Sequence, residues 1–413
     1  MSHTVITEIE RIVEERLGGT VRFVPSARLA LILGCEALLR RGDGVAMISP
    51  LCEVVAFCTY AAGMKPVFVD STQESPHIDV ALLGELDPTR LGAVMATNLY
   101  GIPEALPELR EMCKRRNWAL IEDAAQVLDS TVNGAQVGTF GDVTILSFKK
   151  FFDEDCGVII CRRPQALARV DELIQKYTRQ PSRLTRIQAR ALKMIRKTGI
   201  GRLEDMLGAL RGKDEDEEPV GGLQTQNTRL TLSHIALSAA IENENVLAGV
   251  EPFLMADSPR FRVLPPPAQL ERLLAKLKGW DRLSASYRRR GHQVRAALTP
   301  HCLDASPGHD PCYLAVPLVT ASRDACVQQI WQRERLWTEN IYNPPLTDYL
   351  PTSAFDDARR FPERDLRWSR DLLPVPVIHA EPYIRSLRSI LKDIEPDERE
   401  PSTQGMVGVS NEG

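Results

Sequence analysis

The 413-residue chain has no apolar run near the roughly 20 residues that a membrane-spanning helix needs. It also lacks a strong charge of either sign. The formal net charge is −4 at pH 7, which gives no electrostatic case for nucleic acid or for an acidic membrane surface. The start, Met1-Ser2-His3-Thr4-Val5-Ile6-Thr7-Glu8-Ile9-Glu10, has acids where a signal peptide would carry a basic stretch and an apolar core. No internal repeat recurs. The nine cysteines are scattered and odd in number, a pattern that suits reduced thiols in a cytosol better than a disulfide framework. Cys156 and Cys161 are too far apart for the usual close ligand pair, and no histidines cluster beside them, so no metal site is expected. A cytoplasmic location is the expectation these absences leave.

What is present suits a large folded protein. Apolar content of 43% and charged content of 26% are ordinary for a globular chain, and the length allows one big domain with a smaller one attached. Residues 4–18 have helical periodicity. Apolar runs then occur at Val21–Val24, Val45–Ile48, Val67–Val69, Ala93–Ala96, Trp118–Ile121, Val143–Phe148 and Val158–Cys161. Amphipathic segments of helical length fall between several of them, at 28–40, 53–62, 78–86 and 104–116. Strands alternating with helices predict an α/β fold with a mainly parallel, seven-stranded sheet covered on both faces. The expected organisation is an N-terminal helix over 1–20 and a large domain over 21–250 with a helical insertion at about 164–220. A smaller α+β domain over 251–395 and a polar, disordered tail over 396–413 follow. The small domain should contain a strand at Tyr313–Leu318 and helices at 322–335 and 381–393, with the Trp331–Trp337 stretch packing the core. The insertion is basic, carrying Arg183, Arg186, Arg190, Lys193, Arg196 and Lys197 beside an apolar stripe of Leu184, Ile187, Ala191 and Ile195. A solvated amphipathic hairpin accounts for it; contact with a membrane or a carrier protein through 177–212 is the alternative.

Two segments carry chemistry. The run Trp118–Ile121 delivers Glu122-Asp123-Ala124-Ala125-Gln126 at a strand's end, and Val143–Leu146 delivers Ser147-Phe148-Lys149-Lys150. Parallel sheets bind ligands beyond the carboxyl ends of their strands. An anion, a hydroxyl and an amine brought together there are what pyridoxal phosphate (PLP) requires for its ring nitrogen, phosphate and aldehyde. In that reading Asp123 faces the pyridinium, Gln126 the ring hydroxyl and Ser147 the phosphate. Lys150 is the covalent anchor and proton carrier, with Lys149 as the competing amine.

Further segments extend the pattern. Arg41-Gly42-Asp43-Gly44-Val45, Gly63-Met64-Lys65-Pro66-Val67-Phe68-Val69-Asp70, Asn98-Leu99-Tyr100-Gly101, Gly134 to Asp142, Asn227-Thr228-Arg229 and Leu373-Pro374 occur in order along the chain. With the Ile121–Gln126 segment, they resemble the DegT-type (DegT/DnrJ/StrS) sugar aminotransferases, PLP enzymes of the fold type I class. The resemblance implies that the Ser26-Ala27-Arg28 turn cradles the phosphate at a helix start. It also implies that Asn227 reaches it from a partner subunit, making a homodimer with shared active sites. Val54 stands where the family places an aromatic over the ring, and Phe152 stands where the family places its lysine, five residues after the serine. Asp153, Glu154 and Asp155 replace the glycine-rich stretch that usually follows.

The activity implied is transfer of an amino group from glutamate or a similar donor to a keto group of a nucleotide-linked sugar or related intermediate, in secondary or surface-sugar metabolism. Two alternatives stand beside it. One is dehydration, elimination or a nonsugar acceptor on the same cofactor; the other is a catalytically silent relative serving as a scaffold. The stretch Tyr342-Asn343-Pro344-Pro345-Leu346 falls where the small domain returns toward the site; contact with substrate is one reading, and a plain proline-rich turn is the other.

Overall fold

The computed structural model describes residues 2–181 and 261–394, apart from positions 337, 339, 340, 349 and 351. Asn227, nearly all of the 177–212 stretch and the 396–413 tail lie outside the described residues. The seven apolar runs are seven strands: β1 (Thr20–Val24), β2 (Gly44–Met47), β3 (Lys65–Phe68), β4 (Ala93–Thr97), β5 (Ala119–Asp123), β6 (Val143–Ser147) and β7 (Gly157–Cys161). Farther along the chain lie β8 (Ala315–Val319), β9 (Asp356–Asp357) and β10 (Leu372–Pro376). The main sheet has eight strands in the order β1-β7-β6-β5-β4-β2-β3-β9. Only β7 runs against its neighbours; the pairings from β6 to β9 are all parallel. The central strands are buried on both faces, which is why they read as continuous apolar runs rather than alternating ones.

The eighth strand departs from the seven-stranded expectation. Its two aspartates supply backbone to the edge of β3, and Lys65 Nζ holds the Asp356 carboxylate at 2.6 Å. The opposite edge is protected differently. Helix α1 (Ser2–Leu17) turns Glu14 and Glu10 toward β1, where they accept the Val21 and Phe23 N–H groups at 2.9 and 2.8 Å. Those donors belong to an edge strand, and the two carboxylates occupy the place a neighbouring strand would take.

Helices α2 (Ala27–Leu38), α3 (Glu53–Ala61), α4 (Val80–Gly84), α5 (Leu106–Arg116), α6 (Lys149–Phe152) and α7 (Pro164–Tyr177) connect the strands. Residues Leu29 to Cys35 of α2 are all buried, so this helix is enclosed on every side. The helix expected from residue 164 is described as far as Tyr177, after which Thr178 turns extended. Beyond it come α8 (Pro267–Leu277), α9 (Trp280–Leu298), α10 (Arg323–Glu334), α11 (Pro362–Asp371) and α12 (Ala380–Ile394). Helices α9, α10 and α12 gather near the antiparallel pair β8–β10. Helix α10 stops at Glu334 because Arg335 takes a left-handed backbone (φ 53°). Trp331, near the end of α10, is only half-buried, while Cys326, Val327 and Ile330 face inward; Trp337 lies outside the described residues.

Candidate active site

The carboxyl ends of β4, β5 and β6 lie side by side, with Thr97 paired to Asp123 and Asp123 to Ile145. Strand alternation sends the two adjacent acids of β5 to opposite faces. Glu122, fully buried, accepts the N–H groups of Gly138, Phe140 and Gly141 at 2.6, 3.0 and 2.9 Å and the Thr144 hydroxyl at 3.2 Å. It fastens the 134–141 hairpin to the sheet. Asp123 accepts the Ala125 N–H at 2.9 Å on its carboxyl Oδ1. Its backbone is fixed by Asn98, whose Nδ2 and N–H both donate to the Asp123 carbonyl, at 3.0 and 3.2 Å. Only 5% exposed, the Asp123 carboxyl is pushed up to about 6 by burial, against the pull of the Ala125 N–H. A buried acid in this state favours a cationic N–H placed beside it.

Gln126 is also buried, and its carboxamide is engaged by protein groups. Oε1 accepts the Tyr100 N–H at 2.9 Å, and Nε2 donates to the Tyr342 hydroxyl at 2.7 Å. The Tyr100 and Tyr342 rings stack with centroids 6.1 Å apart and planes 26° from parallel. Tyr100 needs a left-handed backbone (φ 59°) to present its N–H in this way. Burial holds the Tyr342 phenol well above the ordinary tyrosine range. The turn at 342–346 thus places the Tyr342 hydroxyl against Gln126.

Ser147 ends β6 half-buried, its hydroxyl 3.4 Å from the Lys149 N–H. Both Lys149 and Lys150 are exposed on the short helix α6, whereas Phe151 and Phe152 are buried. The Phe152 ring lies 5.8 Å from Phe148 and 5.2 Å from Trp280, so the position five residues after Ser147 is part of the core. Lys150 and Arg28 both act electrostatically on the half-buried Cys52 at the start of α3, a thiol that burial pushes up to about 12. Arg28 and Asp123 likewise act on buried Cys58, farther along the same helix. Along α3, Lys150 therefore lies toward Cys52, Asp123 toward Cys58, and Arg28 within reach of both thiols. Val54, half-buried in the first turn of that helix, belongs to the same region.

Ser26 caps α2. Its hydroxyl accepts the Leu29 N–H at 3.1 Å and donates to the Phe261 carbonyl at 2.8 Å, while Ala27 and Arg28 are half-buried in the first turn. A Cβ at Gly157 would come within 3.1 Å of the Ala27 nitrogen and closer still to the Leu146 carbonyl, so β7 can pass this turn only with glycine there. Of the three carboxylates after α6, Glu154 is buried and Asp153 and Asp155 face solvent. Among the described residues no three histidine, cysteine or acidic side chains gather as a metal-ligating group, and no helix is long and apolar enough to cross a membrane.

Residues 21–186 match the sequence model of the DegT/DnrJ/EryC1/StrS aminotransferase family. GDP-perosamine synthase from Escherichia coli O157:H7 is 37% identical over 134 residues, covering 30% of this chain and 35% of that protein. UDP-N-acetyl-3-dehydro-alpha-D-glucosamine 3-aminotransferase from Acidithiobacillus ferrooxidans is 31% identical over 121 residues, 29% of this chain and 32% of that one. The matched stretch therefore spans about a third of the length of these curated relatives. Among solved structures, a DegT DnrJ EryC1 StrS aminotransferase from Brucella abortus superposes with a TM-score of 0.65 at 17% identity, covering 94% of this chain and 90% of that one. DesV from S. venezuelae, in complex with a ketimine intermediate, gives 0.63 at 17% identity over 95% and 90%. The described part of the chain shares their fold.

Proposed function

We propose that this chain, whose residues 21–186 belong to the DegT/DnrJ/EryC1/StrS aminotransferase family, is a PLP-dependent aminotransferase. It would move an amino group from glutamate or a similar donor onto a keto group of a nucleotide-linked sugar. The observation that carries this reading is the buried Asp123 carboxyl, raised by desolvation, at a sheet end shared with the Ser147–Lys150 turn. PLP, when bound, supplies an electron sink for the substrate carbon. Asp123 would keep the ring nitrogen protonated. Lys150 would hold the cofactor, and its Nζ would take and return the substrate proton. The Ser147 hydroxyl and the first N–H groups of α2, at Ala27 and Arg28, hold phosphate oxygens, with Ser26 fixing that turn. Gln126, braced by Tyr100 and Tyr342, borders the ring with Val54.

The names of the similar proteins support a nucleotide-linked sugar as acceptor. A homodimer in the cytoplasm completes the proposal, with large and small domains meeting near residue 250 and Asn227 of a second copy completing the phosphate cradle. Incubating the PLP-loaded protein with glutamate alone tests it. Accumulation of pyridoxamine 5'-phosphate with no second substrate is expected. A cofactor spectrum that glutamate leaves unchanged, with pyridoxamine 5'-phosphate also failing to react with keto acceptors, would overturn it.

A further inference from the structure

The Lys150 turn has carboxylates behind it rather than glycines, and one of them is gripped. Glu154 is 3% exposed, and its two oxygens receive Nε and a terminal nitrogen of Arg272, each at 3.1 Å. Lys276 Nζ lies 3.0 Å from the same carboxylate and also donates to the carbonyl of Phe152, the last residue of α6. Arg272 and Lys276 are four residues apart on α8, so one face of that helix holds both the acid and the end of the lysine helix. The turn is closed from within as well. Phe152 and Asp153 N–H groups reach the Phe148 and Lys149 carbonyls at 3.0 and 3.1 Å, and Asp153 takes a left-handed backbone (φ 50°). Below it, Phe152 packs on Trp280, over which Arg16 of α1 lies at 4.9 Å.

A bidentate guanidinium on a buried carboxylate is a directional contact, and the added ammonium makes the clamp costly to open. We infer that Glu154, held by Arg272 and Lys276, is a positioning residue: it fixes the turn that presents Lys150 and sets which lysine amine meets the cofactor aldehyde. The inference rests on the proposed aminotransferase reading. In that setting, the clamp takes over the restraint of a turn three residues from Ser147 to Lys150.

The test is borohydride trapping of PLP on the intact protein, with labelled peptides quantified by mass spectrometry and unfolding followed in parallel. In the unaltered protein, label falls on Lys150. In Glu154→Gln, the Lys150 labelling rate should fall by roughly tenfold or more, as a small displacement of a reacting group does. Label should also spread to Lys149, and Glu154→Asp should restore part of the preference. Lys276→Met, whose altered atom lies on a side chain 41% exposed, should move the Lys149-to-Lys150 ratio the same way in a protein that stays folded. An unchanged rate and ratio in a folded Glu154→Gln protein, or in Lys276→Met should the former unfold, would overturn the positioning role and leave the aminotransferase reading standing. In the unaltered protein, label on Lys149 alone would overturn the positioning role, and absence of label on either lysine would overturn both.

Discussion

Replacing Asp123 with asparagine separates two effects that the carboxylate combines. Without a cofactor, burial raises this acid from an ordinary 3.8 to about 6. At 1.36 kcal/mol for each tenfold change in acidity, that rise makes the ionised form about 3 kcal/mol less favourable in the folded protein than in the unfolded chain. The folded value lies above the unfolded one, so the contribution is most favourable below 3.8 and is lost as pH rises through about 6. Asparagine has the same outline and can still accept the Ala125 N–H. The cofactor-free Asp123→Asn protein should therefore gain stability over the unaltered one at pH 8, by an amount approaching ~3 kcal/mol less the cost of burying the amide, and the gain should shrink toward pH 4. With PLP the order reverses. Breaking one side of a buried ion pair costs about 3–5 kcal/mol, so affinity should fall by roughly a hundredfold or more. Urea unfolding of the cofactor-free proteins at both pH values, with a PLP titration, reads both effects. Equal stability at pH 8 together with equal PLP affinity would refute the reasoning.

Three other substitutions probe buried polar groups. Glu122→Gln turns an NH2 group toward a set of donors that now meet a carboxylate; urea unfolding should register a loss of about 1.5–3 kcal/mol, and hydrogen exchange should quicken at Gly138 to Gly141. Tyr342→Phe leaves Gln126 Nε2 without its 2.7 Å partner; a loss of about 1–3 kcal/mol is expected, with weaker PLP binding because the carboxamide is freed to rotate. His77 is buried, and burial pushes its imidazole down to about 3 from 6.5. Its contribution is fully present above pH 6.5 and is lost as pH falls toward 3, so thermal scans from pH 7 to 4 should show a shallower acid decline for His77→Gln.

The central strands were readable because a sheet covered on both faces demands unbroken Val, Ile, Leu and Ala runs, as in Ala93–Thr97. The edge strand β9 was not, since Asp356 and Asp357 contribute main chain rather than apolar side chains. Helix α11 escaped for a related reason. It buries Trp368, Asp365 and Ser369 among otherwise charged residues, leaving little apolar periodicity to detect. At the site, local spacing brought Asp123, Ser147 and Lys150 into view because each ends a strand or follows one directly. Tyr342 comes from a distant part of the chain, and its partnership with Gln126 depends on how that part folds back. The clamp on Glu154 is of the same kind: Arg272 and Lys276 lie on a helix whose sequence shows two surface cations and nothing of the acid they hold. Adjacent acids in β5 looked alike, and the sheet's two faces gave Glu122 a hairpin to fasten and Asp123 the Ala125 N–H at the strand's end.

The most direct test of the account is peptide mapping of the protein after incubation with PLP and reduction by borohydride. A single modification, one phosphopyridoxyl group on Lys150, is the predicted result; label on Lys149 instead, or a protein that stays colourless and unmodified, would contradict it.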